Sequence, residues 1–288
     1  MNQVKTVALL GLLSGLLITI SYSVLGGVTG AIAGIALAAI TNLGAWYFSD
    51  RIALAAYRAQ PVSGQQAPEL HRMVTRLAQR AGIPTPELYV IPGAAANAFA
   101  TGRDPQHAAI AVTEGIVHLL PADELEGVIA HELSHILHRD TLTQAVAATI
   151  AGAIAFLAQM LSYAMWFGGV ARDDDGPNPL ALLGTVILAP IAATVLQLGI
   201  SRTREFSADA GAAKLTGNPQ ALARALKRLE ASARRRPMTG NPAFEPLMIV
   251  NAVPKRPMAS LFSTHPSTEE RVERLLGMAI APTNAYSL

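Results

Sequence analysis

The chain has no cysteine, and only 15% of its 288 residues carry a charge, against about 25% in an average soluble domain. Without cysteine there is no disulfide, no thiolate ligand and no thiol nucleophile, so any bound metal must be held by His and carboxylate. A formal net charge of +2 is too weak to attract a polyanion, and no nucleic-acid-reading motif is present. No nucleic acid is expected as a partner.

The charge deficit is local. Residues 6–25, 28–48, 141–171 and 178–201 contain no Asp, Glu, Lys or Arg and make up one third of the chain; the remainder has about 22% charge, close to the soluble norm. Each stretch reaches the ~20 residues that cross a bilayer as a helix. The pattern predicts four transmembrane helices, the first two joined by Gly26-Gly27 as a tight hairpin whose Ala and Gly content suits close packing in lipid. A cleaved signal peptide competes for the first stretch, but that run is longer than a signal's apolar core and a second run follows at once. Lys5, Arg51, Arg58, Arg139, Arg202 and Arg204 all flank the spans on one side. Opposite them lie Gly26-Gly27 and the 172–177 loop, where Arg172 is outnumbered by Asp173, Asp174 and Asp175. By the positive-inside rule both termini and the polar regions face the cytoplasm.

The expected organisation is a membrane hairpin over 1–50, a first domain segment over 51–140, a second hairpin over 141–201 and a closing segment over 202–288. Residues 67–82 have helical apolar spacing with Gly82 as a stop. Residues 88–91, 96–101 and 108–113 read as short strands, the last two joined by a turn at 102–106. Helices are expected over 123–139, 202–217, 219–235 and 267–278, the last opened by Ser267 with Glu270 as a capping box. The fold class is mostly α with a small β-sheet.

Within helix 123–139 stands His131-Glu132-Leu133-Ser134-His135, an H-E-x-x-H pattern. Two histidines four apart lie 40° apart on one helix face, one turn above each other, so both imidazoles reach one ion at about 2.1 Å. Glu132 sits on the flank, placed to take a proton from metal-bound water. Chance gives roughly 0.007 occurrences of this pattern in such a chain. His138 is about 10.5 Å along the axis from His131, too far to share that ion. His71, His107 and His118 read as ordinary histidines.

A catalytic zinc site needs a third protein ligand and an open position. The two-span excursion returns the chain to the side it left, bringing Glu205 and Asp209 near the H-E-x-x-H helix. Being four apart, they can divide the work, Glu205 ligating and Asp209 accepting a hydrogen bond from a ligating histidine. The alternative is that both pair with Arg202, Arg204 or Lys214 on a solvated helix.

These features together resemble the HtpX-type membrane zinc metalloproteases of bacteria, relatives of the CAAX prenyl endopeptidases. The resemblance covers nearly the whole chain: the N-terminal hairpin, HELSH running into a second hairpin, and Glu205-Phe206-Ser207-Ala208-Asp209 matching an E-x-x-A-D element. It implies a gluzincin-like metalloendopeptidase with His131, His135 and Glu205 on one zinc and Glu132 as general base. Asn97-Ala98-Phe99 is similar to that family's substrate-binding edge strand. Thr264-His265-Pro266 with Arg271 resembles its C-terminal H-P element, where His265 can donate to the oxyanion and Arg271 can anchor the site.

The function expected is zinc-dependent cleavage of misfolded or damaged membrane proteins at the cytoplasmic face of the bacterial inner membrane, roughly 9–15 Å from the hydrocarbon by helix rise. Unfolded polypeptide and the lipid bilayer are the expected partners; the oligomeric state is left open. A non-catalytic client-binding scaffold is the rival, and an intact Glu132 argues against it. A transporter is disfavoured because no predicted span holds an ionisable residue.

Overall fold

The computed structural model describes residues 2–25, 27–167, 202–238, 244, 247–250 and 266–280. Helices α1 (Asn2–Leu25) and α2 (Gly27–Ala56) form an antiparallel hairpin. Small residues let the two backbones touch: a Cβ on Gly34 would stand 2.7 Å from the Ile18 Cα, and one on Gly30 would collide with the Ser21 carbonyl. Asn42 Nδ2 donates across the hairpin to Leu10 O at 3.2 Å and Ser14 Oγ at 2.8 Å. Among the described residues, α2 is the one helix long and apolar enough to cross a membrane. It continues past Asp50 and Arg51 to Ala56, so the helix outlasts the hairpin boundary expected at residue 50.

A four-stranded mixed sheet follows, with strands β1 (Gln60–Pro61), β2 (Glu87–Ile91), β3 (Ala98–Gly102) and β4 (Ala108–Thr113) in the order β1-β2-β4-β3. Strands β2 and β4 are parallel; the other two pairings are antiparallel, and β3–β4 is the expected hairpin. Both faces of the sheet are covered, which is why β4 reads Ala-Ala-Ile-Ala-Val-Thr without alternation. Its side chains divide by the two-residue period. Ala108, Ile110 and Val112 join a core with α3 (Pro68–Ala81) and α5 (Ala122–Leu137). Ala109 and Ala111 join a second core, which contains Leu9, Ala53, Val146 and Ile150 from the apolar helices.

Helix α4 (Glu114–Leu119) leads through Pro121 into α5. Asp123 and Glu124 occupy the first turn of α5, where the helix dipole favours negative charge. Buried Glu124 also meets Arg224 at 3.2 Å and Arg228 at 2.8 Å, tying α5 to α8 (Pro219–Arg235). Helix α6 (Asp140–Phe167) begins just past α5 and packs on α1 and α2, with Thr6 Oγ1 and Thr143 Oγ1 hydrogen-bonded at 2.9 Å. It covers most of the third predicted span; the fourth, over 178–201, and the 172–177 loop lie outside the described residues. Helices α7 (Arg202–Thr216) and α9 (Thr268–Ile280) complete the described fold. Glu270 N donates to Ser267 Oγ at 3.1 Å, the N-terminal half of the capping box read from the sequence.

Candidate metal centre

Helix α5 carries its two histidines inward, because the apolar residues around them bury almost the whole helix. His131, Glu132 and His135 are all at most 5% exposed. Helix α7 then lies directly against α5, and Gly211 permits the approach: a Cβ there would stand 2.5 Å from Ser134 Oγ. Glu205 and Asp209, each 1% exposed, are thereby brought onto the histidine face. The solvated-helix alternative does not describe them.

The geometry at the meeting point is that of a ligand set. The Nε2 atoms of His131 and His135 are 3.2 Å apart. Glu205 Oε2 lies 3.7 Å from His131 Nε2, and its Oε1 lies 3.5 Å from His135 Nε2. Donors on a tetrahedral ion at about 2.1 Å are separated by roughly 3.4 Å, so these spacings fit one. Charge gives a second test. Among the described residues, buried Glu132, Glu205, Asp209 and Asp140 are accompanied by two buried guanidinium groups, Arg204 and Arg271. Carboxyl groups outnumber guanidinium groups there, which favours a bound cation, and two imidazoles with one carboxylate suit zinc chemistry.

Each histidine keeps its far nitrogen on a carboxylate. His131 Nδ1 lies 2.9 Å from Asp209 Oδ1, and His135 Nδ1 lies 3.2 Å from Asp140 Oδ2. Arg271 holds Asp209 in a two-pronged contact, Nη2 to Oδ1 at 2.7 Å and Nε to Oδ2 at 2.9 Å, and its Nη1 donates to Ile249 O at 3.0 Å. Burial pulls the His131 pKa down to about 4, so the ring is a neutral ligand at pH 7. Burial also acts to lower His135, but the Asp140 contact and the charges of Glu205 and Glu132 outweigh it and raise that pKa. Burial would raise Asp209, yet Arg271 beside it holds the carboxyl below its usual range. Glu132 is pushed up to about 7 by burial, with Glu205 adding to the rise and His135 and the Ala100 N–H opposing it.

The sequence-predicted residues fall into three groups. His131, Glu132, His135, Glu205, Asp209 and Arg271 come together in one buried centre. Asn97, Ala98 and Phe99 lie at the sheet edge with their side chains buried. Phe99 is fully buried, with its ring 5.8 Å from that of Tyr57 in the core beside the apolar helices. Asn97 is a structural anchor: its backbone N–H donates to Thr113 Oγ1 at 2.9 Å, its Nδ2 to Val250 O at 3.0 Å, and its Oδ1 accepts from Ala98 N–H. The edge itself is largely engaged, with Ala98 O accepting from Ile249 N, Gly102 O from Thr141 Oγ1, and Ala100 N–H meeting Glu132. His265 forms the third group and lies outside the described residues; Pro266 beside it is buried at the head of α9.

Asp140 is the residue that spacing missed. On a continuous helix it would point about 140° from His135, so no periodicity marks it. The available signal was an acid at the break between the motif helix and an apolar run.

Residues 64–279 match the sequence profile of Peptidase family M48. A "Protease HtpX homolog" of Trichormus variabilis is 69% identical over 277 residues, covering 96% of both chains. Its counterparts in Nostoc punctiforme and Pyrococcus furiosus are 67% and 50% identical, covering 99% and 96% of both chains respectively. The crystal structure of S. mikatae Ste24p is similar in fold, with a TM-score of 0.50 and 24% identity, over 84% of this chain and 57% of that one. On the strength of the profile and these relatives, the chain belongs to peptidase family M48.

Proposed function

We propose that this chain is a membrane metallopeptidase that cuts peptide bonds with one zinc ion held by His131, His135 and Glu205, and with Glu132 as general base. The observation carrying this reading is the buried donor triangle with 3.2–3.7 Å edges beside the buried carboxyl of Glu132. Membership of M48 and relatives named as proteases make the reaction class a peptidase.

A divalent ion at these donors supplies Lewis acidity that polarises a peptide carbonyl and acidifies water. Glu132 takes the proton of the attacking water and returns it to the leaving amine. Asp209, itself clamped by Arg271, holds His131 with its Nε2 toward the ion. Substrate backbone pairs with the outer edge of β3, where the two-residue period directs Ala100 C=O and Gly102 N–H outward beside the engaged groups. His265 is proposed to donate to the oxyanion.

Four membrane spans, with the centre and both termini cytoplasmic in the bacterial inner membrane, accord with the charge placement and with the apolar α2. A centre so close to the bilayer suits unfolded loops of damaged membrane proteins as substrates. The test is digestion of casein by the purified protein in detergent, with chelator and then with zinc restored. Cleavage is expected to stop and return, and Glu132→Gln is expected to retain zinc without cleaving. Undiminished cleavage by Glu132→Gln, or by the chelated protein, removes the proposal.

A further inference from the structure

We infer that Asp140 is a positioning residue for the metal centre: it fixes the tautomer and ring orientation of His135, and so fastens the first turn of an apolar helix to a ligand. The inference rests on the zinc reading above.

The two imidazoles make the same demand. A histidine that ligates through Nε2 as a neutral ring carries its proton on Nδ1, and that proton needs an acceptor. His131 has Asp209 at 2.9 Å. His135 has Asp140 at 3.2 Å, in a buried contact. An ionised carboxylate accepts and never donates, so it selects one tautomer.

The chain builds this contact on purpose-made backbone. Helix α5 ends at Leu137 with His138 as its cap. Arg139 then takes a left-handed conformation, φ 55°, which costs a non-glycine residue free energy and persists where its surroundings require it. That reversal carries Asp140, otherwise about 140° off the metal face, back toward His135. The next residue is pinned as well, Thr141 Oγ1 donating to Gly102 O at 2.8 Å at the end of β3.

Asp140 has a second contact of consequence. Its Oδ1 lies 3.6 Å from Arg204 Nη1, and Arg204 immediately precedes the ligand Glu205. One carboxylate therefore touches the motif helix through His135 and α7 through Arg204, while opening α6 itself. A plain ion pair with Arg204, or a helix-capping acid, would leave His135 indifferent to Asp140. These readings separate experimentally.

The experiment is zinc competition against a chromophoric chelator on the full-length protein in detergent, with 15N-histidine NMR reporting the imidazole tautomers. Asp140→Ala is expected to weaken zinc binding 10–100-fold, the usual effect of losing such a partner, and to release the His135 tautomer. Asp140→Asn, whose amide oxygen still accepts from Nδ1–H, is expected to restore affinity to within about tenfold of wild type. Arg204→Met is expected to cost less than Asp140→Ala. Wild-type affinity in Asp140→Ala, or an Arg204→Met loss equal to it, overturns the inference. If Asp140→Ala does not fold, the zinc-loaded wild type decides, because an Nε2–H tautomer at His135 overturns it equally. A wild type that takes up no zinc removes the metal reading together with the inference, whereas normal uptake with an indifferent Asp140 removes the inference alone.

Discussion

Two helix pairs in this protein use the same packing device for different ends. In the α1–α2 hairpin, Gly30 and Gly34 bring backbones into contact, and a hydrogen bond between Asn42 and Ser14 bridges the seam. In the α5–α7 pair, Gly211 allows a similar approach, yet the seam holds His131, His135, Glu205 and Asp209. Helices in lipid gain little from apolar burial against each other, so small residues and contact area do the holding. In the candidate metal centre, closeness serves to set carboxylates on imidazoles, and mutual contacts offset the cost of burying them.

The comparison predicts that a change at the metal seam alters metal binding and one at the hairpin does not. Glu205→Ala, the most severe, is expected to weaken zinc retention more than about 100-fold, beyond the loss of an outer partner; unchanged zinc content by atomic absorption would remove Glu205 from the site. The next effect is on pH dependence. In the folded metal-free protein burial pushes the Glu132 carboxyl up to about 7, from about 4.5 for the same group in water. Its folded pKa is raised, so its contribution is fully present below about pH 4.5 and is lost as pH rises through 7. Relative to Glu132→Gln, the metal-free wild type is expected to lose on the order of 3 kcal/mol between pH 4 and 8. Thermal melts in detergent at a series of pH values measure this, and parallel curves for the two proteins break the assignment.

Gly211→Val tests the seam sterically. Overpacking of this kind costs about 1–3 kcal/mol, and here it is expected to lower zinc affinity as well by pushing α7 and Glu205 away from α5. Gly34→Val is expected to be milder for function, with a similar steric cost confined to the hairpin, a lower melting temperature and full zinc occupancy. Metal loss in Gly34→Val with none in Gly211→Val would reverse the contrast between the two seams.

Much of the site was legible in the sequence because helical periodicity turns the spacing of His131 and His135 into a shared face. Glu205 was expected near that face only from the predicted return of the chain; the packing of α7 against α5 is what sets it beside the imidazoles. The β3–β4 hairpin was legible from short apolar runs around a turn. Coverage of its outer edge by Ile249 and Thr141 was not, because those contacts join residues remote in the chain. Nor was the inward burial of Phe99: an alternation pattern cannot show that both faces of a sheet are packed.

The amino-acid sequence by itself determined which stretches are apolar enough for membrane helices, where the two imidazoles share a face, and that any metal must take nitrogen and oxygen donors. Those properties depend on composition and on spacing within single elements. Tertiary structure alone decided that Glu205 closes the triangle, that Arg271 braces Asp209, and that a left-handed turn at Arg139 sends Asp140 back to His135. Each of these needs two separate helices at a definite distance and angle, and that is fixed by packing across the core.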